Sequence, residues 1–281
     1  LQKGVPMNRL VQGDVGSGKT MVAAAAACLA IQNGYQAAMM APTEILAEQH
    51  LKSFKDMLDS HGIKTVLLTG VLKAKEKREI LDMIRAGEAD VVIGTHALIR
   101  ESVEFKNLGF VVADEQHRFG VGQRASLSNK GNNPHTLVMS ATPIPRTMSL
   151  IFYGDLDISI IDTLPNGRQP IETFFIDGEK RQRAFNYVKK HLDEGRQGYI
   201  ICPMVEENED IDLKSAVEYY GALQEGEFKN YTVGLLHGKM KPKEKAQVMA
   251  DFKNGLIQLL ISTTVVEVGV DVPNAVIMLI E

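Results

Sequence analysis

Eight residues near the start of the chain restrict its fold more than any other feature. Gly13-Asp14-Val15-Gly16-Ser17-Gly18-Lys19-Thr20 satisfies G-x-x-x-x-G-K-[S/T]. A short apolar run at residues 9–11 precedes it, and an alanine-rich stretch over residues 19–33 follows as a helix. A strand that turns through three glycines into a helix aims successive backbone N–H groups, and the positive end of the helix dipole, at a phosphate. In such a loop Lys19 reaches the β- and γ-phosphates and Thr20 turns its hydroxyl toward Mg²⁺. The loop implies a bound nucleotide and an α/β fold; it does not say what the nucleotide's energy is used for.

The rest of the chain has the matching rhythm. Apolar runs of strand length lie at residues 37–41, 65–68, 91–94, 110–113 and 136–139, with helical segments expected over 44–60, 73–86 and 145–153. Gly34 and Gly62 stand where left-handed C-caps are expected. Residues 163–170, with two prolines and a glycine, read as a linker. Further runs at 173–176, 198–202, 232–236, 258–261 and 275–280 alternate with helices expected over 179–194, 212–224 and 242–254. Alternation of this kind predicts parallel sheets covered by helices. We place a first lobe at residues 1–162, a linker at 163–172 and a second lobe at 173–281. No short sequence repeat is evident between the halves, and the acidic run at 206–212 reads as a solvated loop.

Composition narrows the function classes. The net charge of −4 excludes a simple basic coat for nucleic acid, but residues 1–150 hold 17 Lys/Arg against 14 Asp/Glu and residues 151–281 hold 14 against 21. Any contact with a polyanion is therefore local, made by particular loops and helix ends. The longest apolar run, residues 21–31, falls short of the roughly 20 residues that span a bilayer, so no membrane partner is expected. Cys28 and Cys202 lack metal-ligand spacing and read as reduced core thiols. A cytoplasmic location is expected.

Asp114-Glu115-Gln116-His117 follows the apolar run 110–113, about 95 residues after the phosphate loop, so its carboxylates emerge where open α/β sheets bind ligands. Hydrolysis needs two roles there, and we assign Asp114 to Mg²⁺ and Glu115 to activation of the attacking water. A water-activating acid beside the metal ligand argues against a kinase. Ser140, Ala141 and Thr142, ahead of Pro143, end the next strand and suit a relay that hydrogen-bonds Gln116 or His117 and reports nucleotide state to a distant surface.

Taken together these segments resemble the motor core of superfamily 2 helicases, most specifically the RecG-type ATP-dependent DNA helicases. The carrying residues are Gly13 to Thr20, Ala41-Pro42-Thr43-Glu44 with Leu46-Ala47-Glu48-Gln49-His50, Gly94-Thr95-His96, and Asp114-Glu115-Gln116-His117-Arg118-Phe119-Gly120. They continue with Ser140-Ala141-Thr142-Pro143-Ile144-Pro145-Arg146-Thr147, Leu236-His237-Gly238-Lys239-Met240, and the stretch from Thr263 to Pro273. The likeness covers essentially the whole chain.

The resemblance implies two RecA-like P-loop NTPase lobes with ATP and Mg²⁺ between them, the second lobe truncated at its C-terminus. It adds Gln116 and His117 to the catalytic set of Lys19, Asp114 and Glu115. Gly269 and Asp271 fall at the nucleotide, opposite Lys19. DNA phosphate contacts fall on Pro42, Thr43, Thr95 and His96 in the first lobe, and on His237, Gly238 and Thr263 in the second; Arg146 is assigned to the DNA backbone. The partner is branched or double-stranded DNA, handled by a monomer alongside replication and repair proteins at the bacterial nucleoid. The family's motif VI would lie beyond Glu281 and its wedge domain before Leu1, so this stretch alone is expected to bind ATP but hydrolyse it poorly. Three alternatives stay open: a translocase similar to Mfd on double-stranded DNA coupled to RNA polymerase, an RNA helicase of the DEAD-box kind, and a non-catalytic ATP-gated binding module.

Overall fold

The computed structural model describes residues 5–114, 126–141, 156–163, 170–202, 209–263 and 272–281. The chain divides into two compact units, residues 1–169 and residues 170–281.

In the first unit seven parallel strands form one sheet in the order β3-β4-β2-β5-β6-β1-β7. They are β1 (Asn8–Gly13), β2 (Gln36–Met40), β3 (Thr65–Leu68), β4 (Val91–Gly94), β5 (Leu108–Asp114), β6 (His135–Ser140) and β7 (Asp157–Ile161). Helices α1 (Lys19–Gln32), α2 (Glu44–Leu58) and α3 (Ala74–Ala86) connect them. Strands covered on both faces are near-continuous apolar runs, and every residue of β2 is buried, with Gln36 ahead of the apolar Ala37 to Met40. The alanines of α1 let that helix lie close on the sheet, with Ala23, Ala24 and Ala27 at most 2% exposed. α2 buries one stripe, Leu46, Ala47, His50, Phe54 and Leu58, whose three-to-four spacing is that of a single helix face. His50 is the polar member of that stripe.

The second unit holds β8 (Gln197–Ile201), β9 (Val233–Leu236), β10 (Leu259–Ser262) and β11 (Ala275–Ile280), all parallel, in the order β11-β8-β10-β9. Its helices are α4 (Arg181–Asp193), α5 (Glu209–Glu225) and α6 (Pro242–Lys253).

Four expectations require comment. Residues 173–176 form no strand: Phe174 is 72% and Phe175 99% exposed, outside any sheet that would bury an apolar face. The acidic run is not wholly loop, because α5 begins at Glu209, and acidic residues suit the positive end of a helix dipole. β7 was not expected; it is an edge strand whose Asp157 and Ser159 interrupt the apolar run. The helix expected over 145–153 lies outside the described residues.

The halves also share more than architecture. β11-β8-β10-β9 repeats the first unit's β5-β2-β4-β3, and the correspondence extends to single hydrogen bonds. Gln36 starts β2 and its amide donates to the carbonyls of Ile84 (3.0 Å) and Ala89 (2.8 Å). Gln197 starts β8 and its amide donates to Phe252 (2.5 Å) and Ile257 (2.7 Å). The Gln36 backbone N–H donates to Asn107 and that of Gln197 to Asn274. Left-handed glycines recur in step, Gly34 (φ 81°) with Gly195 (φ 77°) and Gly87 (φ 78°) with Gly255 (φ 77°). By this register Thr95 corresponds to Thr263, Thr69-Gly70 to His237-Gly238, and Asp114 to Glu281.

Gln36 is 5% exposed and serves two carbonyls and the Asn107 N–H (3.1 Å) at once. Gln36→Ala leaves those groups without their partner, so the first unit is expected to lose about 1–3 kcal/mol of stability. Denaturant midpoints measure the loss, and an unchanged midpoint would remove this bridge from the account.

The neutral ring of His135 accepts the Met7 backbone N–H at 2.8 Å, and burial holds its pKa below the ordinary imidazole value. The folded pKa therefore lies under the unfolded one. The stabilisation is complete above about pH 6.5 and is lost as pH falls through that value toward the folded pKa. Between about pH 7.5 and about pH 5.5, the unfolding midpoint should drop more in the native chain than in His135→Gln. Equal drops would contradict it.

Candidate nucleotide and nucleic-acid sites

The phosphate loop folds as its glycines require. Gly16 (φ 81°) and Gly18 (φ 95°) adopt left-handed backbone that a side chain would strain. At Gly13 the limit is space: a Cβ would stand 2.5 Å from Ser17 Oγ and 3.0 Å from Ile161 Cβ. No side chain caps the start of α1, so its first-turn N–H groups point out of the helix as an anion would need. Lys19 is 9% exposed, and its ammonium donates to the carbonyls of Gly13 (2.7 Å) and Asp14 (2.9 Å). Those bonds fold the cation over its own loop.

Asp114 ends β5 and is 8% exposed. It is in register with Met139, which is in register with Val11. Asp114 thus stands level with the residue two before the loop and two strands away, about 10 Å at ordinary strand spacing. Its Oδ2 accepts a hydrogen bond from His50 Nε2 at 2.7 Å. A carboxylate is acceptor only, so Nε2 carries the hydrogen.

The residues fit ATP and Mg²⁺. Ser17 Oγ is buried with no hydrogen-bond partner inside the loop, and Thr20 and Asp114 supply hydroxyl and carboxylate oxygens, the donors a hard cation takes. Ser140 ends β6 between β1 and β5, buried and level with Gln12, and Ala141 follows it half-buried. Glu115, Gln116, His117, Thr142, Arg146, Gly269 and Asp271 lie outside the described residues.

The expected DNA-contacting residues stand at the same edge of each sheet. Pro42 and Thr43 follow β2, and Thr43 Oγ1 caps α2 by accepting the Leu46 N–H at 3.3 Å. Thr95 and the exposed His96 follow β4. In the second unit His237 and the exposed Gly238 follow β9, and Thr263 follows β10. Among the described residues five buried polar side-chain atoms lack a hydrogen-bond partner: Ser17 Oγ, Thr65 Oγ1, Thr95 Oγ1, His237 Nδ1 and Thr263 Oγ1. Buried polar atoms are almost always paired, and four of these five fall on residues that the sequence assigns to nucleotide or DNA. Thr65, at the opposite end of β3, has no such explanation. Burial, and then the nearby Lys245 cation, hold His237 below the usual imidazole range, so near neutral pH it offers a neutral N–H rather than a charge.

Two features escaped the sequence. His50 stood within a quoted motif but without a role, and its bond to Asp114 spans 64 positions. Thr69-Gly70 takes the place in the first unit that His237-Gly238 takes in the second, and only the internal register reveals it.

Known proteins agree with this layout. A family profile described as DEAD/DEAH box helicase matches residues 3–151, and one described as helicase conserved C-terminal domain matches residues 179–281. The ATP-dependent DNA helicase RecG of Bacillus subtilis is 51% identical over 274 residues, 98% of this chain and 40% of the relative. RecG of Streptococcus pneumoniae is 53% identical over 274 residues, again 98% and 40%. A solved structure of RecG bound to a three-way DNA junction is 46% identical with a TM-score of 0.79, over 97% of this chain and 35% of that one. The chain spans about two fifths of the length of these curated relatives. With profiles matched in both units and identity near one half throughout, this chain belongs to the DEAD/DEAH box helicases and carries the two-unit core of their RecG type.

Proposed function

We propose that this chain is the ATP-driven motor core of a DNA helicase that acts on branched DNA, such as stalled forks and Holliday junctions, in repair and recombination. The observation that carries the proposal is the phosphate loop with Lys19 folded over it and the Asp114 carboxylate held at the same sheet edge. The loop N–H groups and Lys19 bind the β- and γ-phosphates. Thr20 and Asp114 hold Mg²⁺, which when bound neutralises charge on the phosphates. Glu115 orients and deprotonates the attacking water, and Gln116 and His117, with Ser140, Ala141 and Thr142, pass nucleotide state onward. Gly269 and Asp271 are assigned to nucleotide contact as well.

DNA phosphates are assigned to Pro42, Thr43, Thr95, His96, His237, Gly238 and Thr263, with Arg146 on the backbone. The unpartnered polar atoms of Thr95, His237 and Thr263 support this, since phosphate oxygens would satisfy them. Such contacts carry no base identity, so binding should select DNA shape and weaken steeply with salt. Support for branched DNA is the three-way junction held by the RecG relative.

The test is ATP turnover by a chain extended to the length of its RecG relatives, with forked DNA, plain duplex or RNA added. Forked DNA should stimulate most and RNA least. Equal stimulation by plain duplex would favour a translocase of the Mfd kind, and no turnover on any of them would leave an ATP-gated binding module.

A further inference from the structure

We infer that His50 is a positioning residue for the Asp114 carboxylate, fixing its orientation for Mg²⁺; the inference rests on the nucleotide-site reading above. His50 is 8% exposed on α2, and its ring N–H reaches Asp114 Oδ2 at 2.7 Å. A carboxylate turns about a single bond, and its terminal torsion is broad. Tying one oxygen to a rigid donor fixes the carboxylate plane and therefore the direction of the other oxygen. The donor itself is fixed. Its helix is anchored by Phe54 (0% exposed) and Leu46 (5%), which share its buried face, and α2 starts at the Thr43 cap.

The second unit supplies an internal comparison. There Glu281 stands where the register places Asp114, and it too accepts a hydrogen bond from the helix that follows the matching strand (β2 in the first unit, β8 in the second), from the Tyr219 hydroxyl of α5. The remaining partner differs. Arg181, first residue of α4, donates to the same Glu281 oxygen at 3.0 Å and to Tyr219 Oη at 2.9 Å. In the first unit α4 is matched by α1, whose opening residues are Lys19 and Thr20. A helix-borne donor on the strand-end carboxylate is thus built into both units. In one the carboxylate faces a guanidinium of its own chain, and in the other it stands where Thr20 and a metal are assigned. Simple core packing would not require a donor at this point in both copies. An outer partner that orients a metal-binding carboxylate typically contributes 10–100-fold to metal affinity.

The experiment is a Mg²⁺ titration of mant-ATP binding by the 281-residue chain, comparing the native sequence with His50→Ala, His50→Gln and Asp114→Asn. Thermal unfolding of each variant checks the fold. In EDTA His50→Ala and His50→Gln should bind mant-ATP as the native sequence does, because Lys19, Asp114 and the loop are untouched. With Mg²⁺, His50→Ala should need about 10–100-fold more metal for the same tightening. His50→Gln, which keeps an N–H donor, should recover most of the effect, and Asp114→Asn should lose the Mg²⁺ dependence. A normal Mg²⁺ response in His50→Ala, with the response lost in Asp114→Asn, would overturn the role of His50 alone. His50→Gln as impaired as His50→Ala would overturn the hydrogen bond as the cause. A normal response in Asp114→Asn would overturn the metal assignment itself, and this inference with it.

Discussion

Lys19→Ala is expected to weaken mant-ATP binding to this chain by roughly one to two orders of magnitude. A hydrogen bond to a charged group contributes about 1.5–3 kcal/mol, and each 1.4 kcal/mol is tenfold in affinity. The side chain is already folded over the loop, donating to Gly13 (2.7 Å) and Asp14 (2.9 Å). Little rotamer freedom remains to be lost when a phosphate joins those acceptors, so the full contribution should appear in the affinity. Lys19→Ala also strips two loop carbonyls of a donor, and thermal unfolding separates that effect from lost phosphate contact. Unchanged affinity in a folded Lys19→Ala chain would contradict the assignment of the loop.

The second large effect is on turnover. In a chain extended to the length of its RecG relatives, Glu115→Gln should cut DNA-stimulated ATP hydrolysis by about 10²–10⁴-fold, the usual contribution of a positioned general base. Glutamine keeps the shape of glutamate and removes only its basicity, so mant-ATP affinity should stay within about twofold. Asp114→Asn should behave differently, losing the Mg²⁺ dependence of binding. That contrast distinguishes a water-activating acid from a metal ligand one residue away. Native turnover in Glu115→Gln would refute the division of labour between the two carboxylates.

The site was legible where its chemistry is local. Gly13 to Thr20 is a contiguous motif whose flanking strand and helix both announce themselves, and the structure returns them as β1 and α1. The same holds for fully buried strands such as β2 and β4, whose apolar runs have no competing reading. Legibility failed where the cause is tertiary. Residues 173–176 have a strand's composition but no sheet to join, while β7 joins the edge of one with a sequence too polar to stand out. The bond between His50 and Asp114 is invisible to local pattern. The internal repeat was hidden for another reason. Its offset drifts from 161 residues at Gly34/Gly195 to 168 at Gly87/Gly255, and the shared residues are isolated glycines, glutamines and asparagines. What repeats is a set of backbone obligations: a left-handed turn before a strand, and an amide that bridges a helix end to the next loop.

These placements also give DNA and nucleotide a physical connection. α2 carries Thr43 at its cap and His50 two turns later, so a DNA phosphate bound at Thr43, as proposed, would bear through one helix on the Asp114 carboxylate. The decisive measurement is the affinity of this chain for Mg²⁺–mant-ATP with and without saturating forked DNA, paired with its affinity for the DNA with and without nucleotide. A motor core requires the two ligands to shift one another by the same factor, expected at about 5–150-fold. Two affinities that are each indifferent to the other ligand would contradict the central claim.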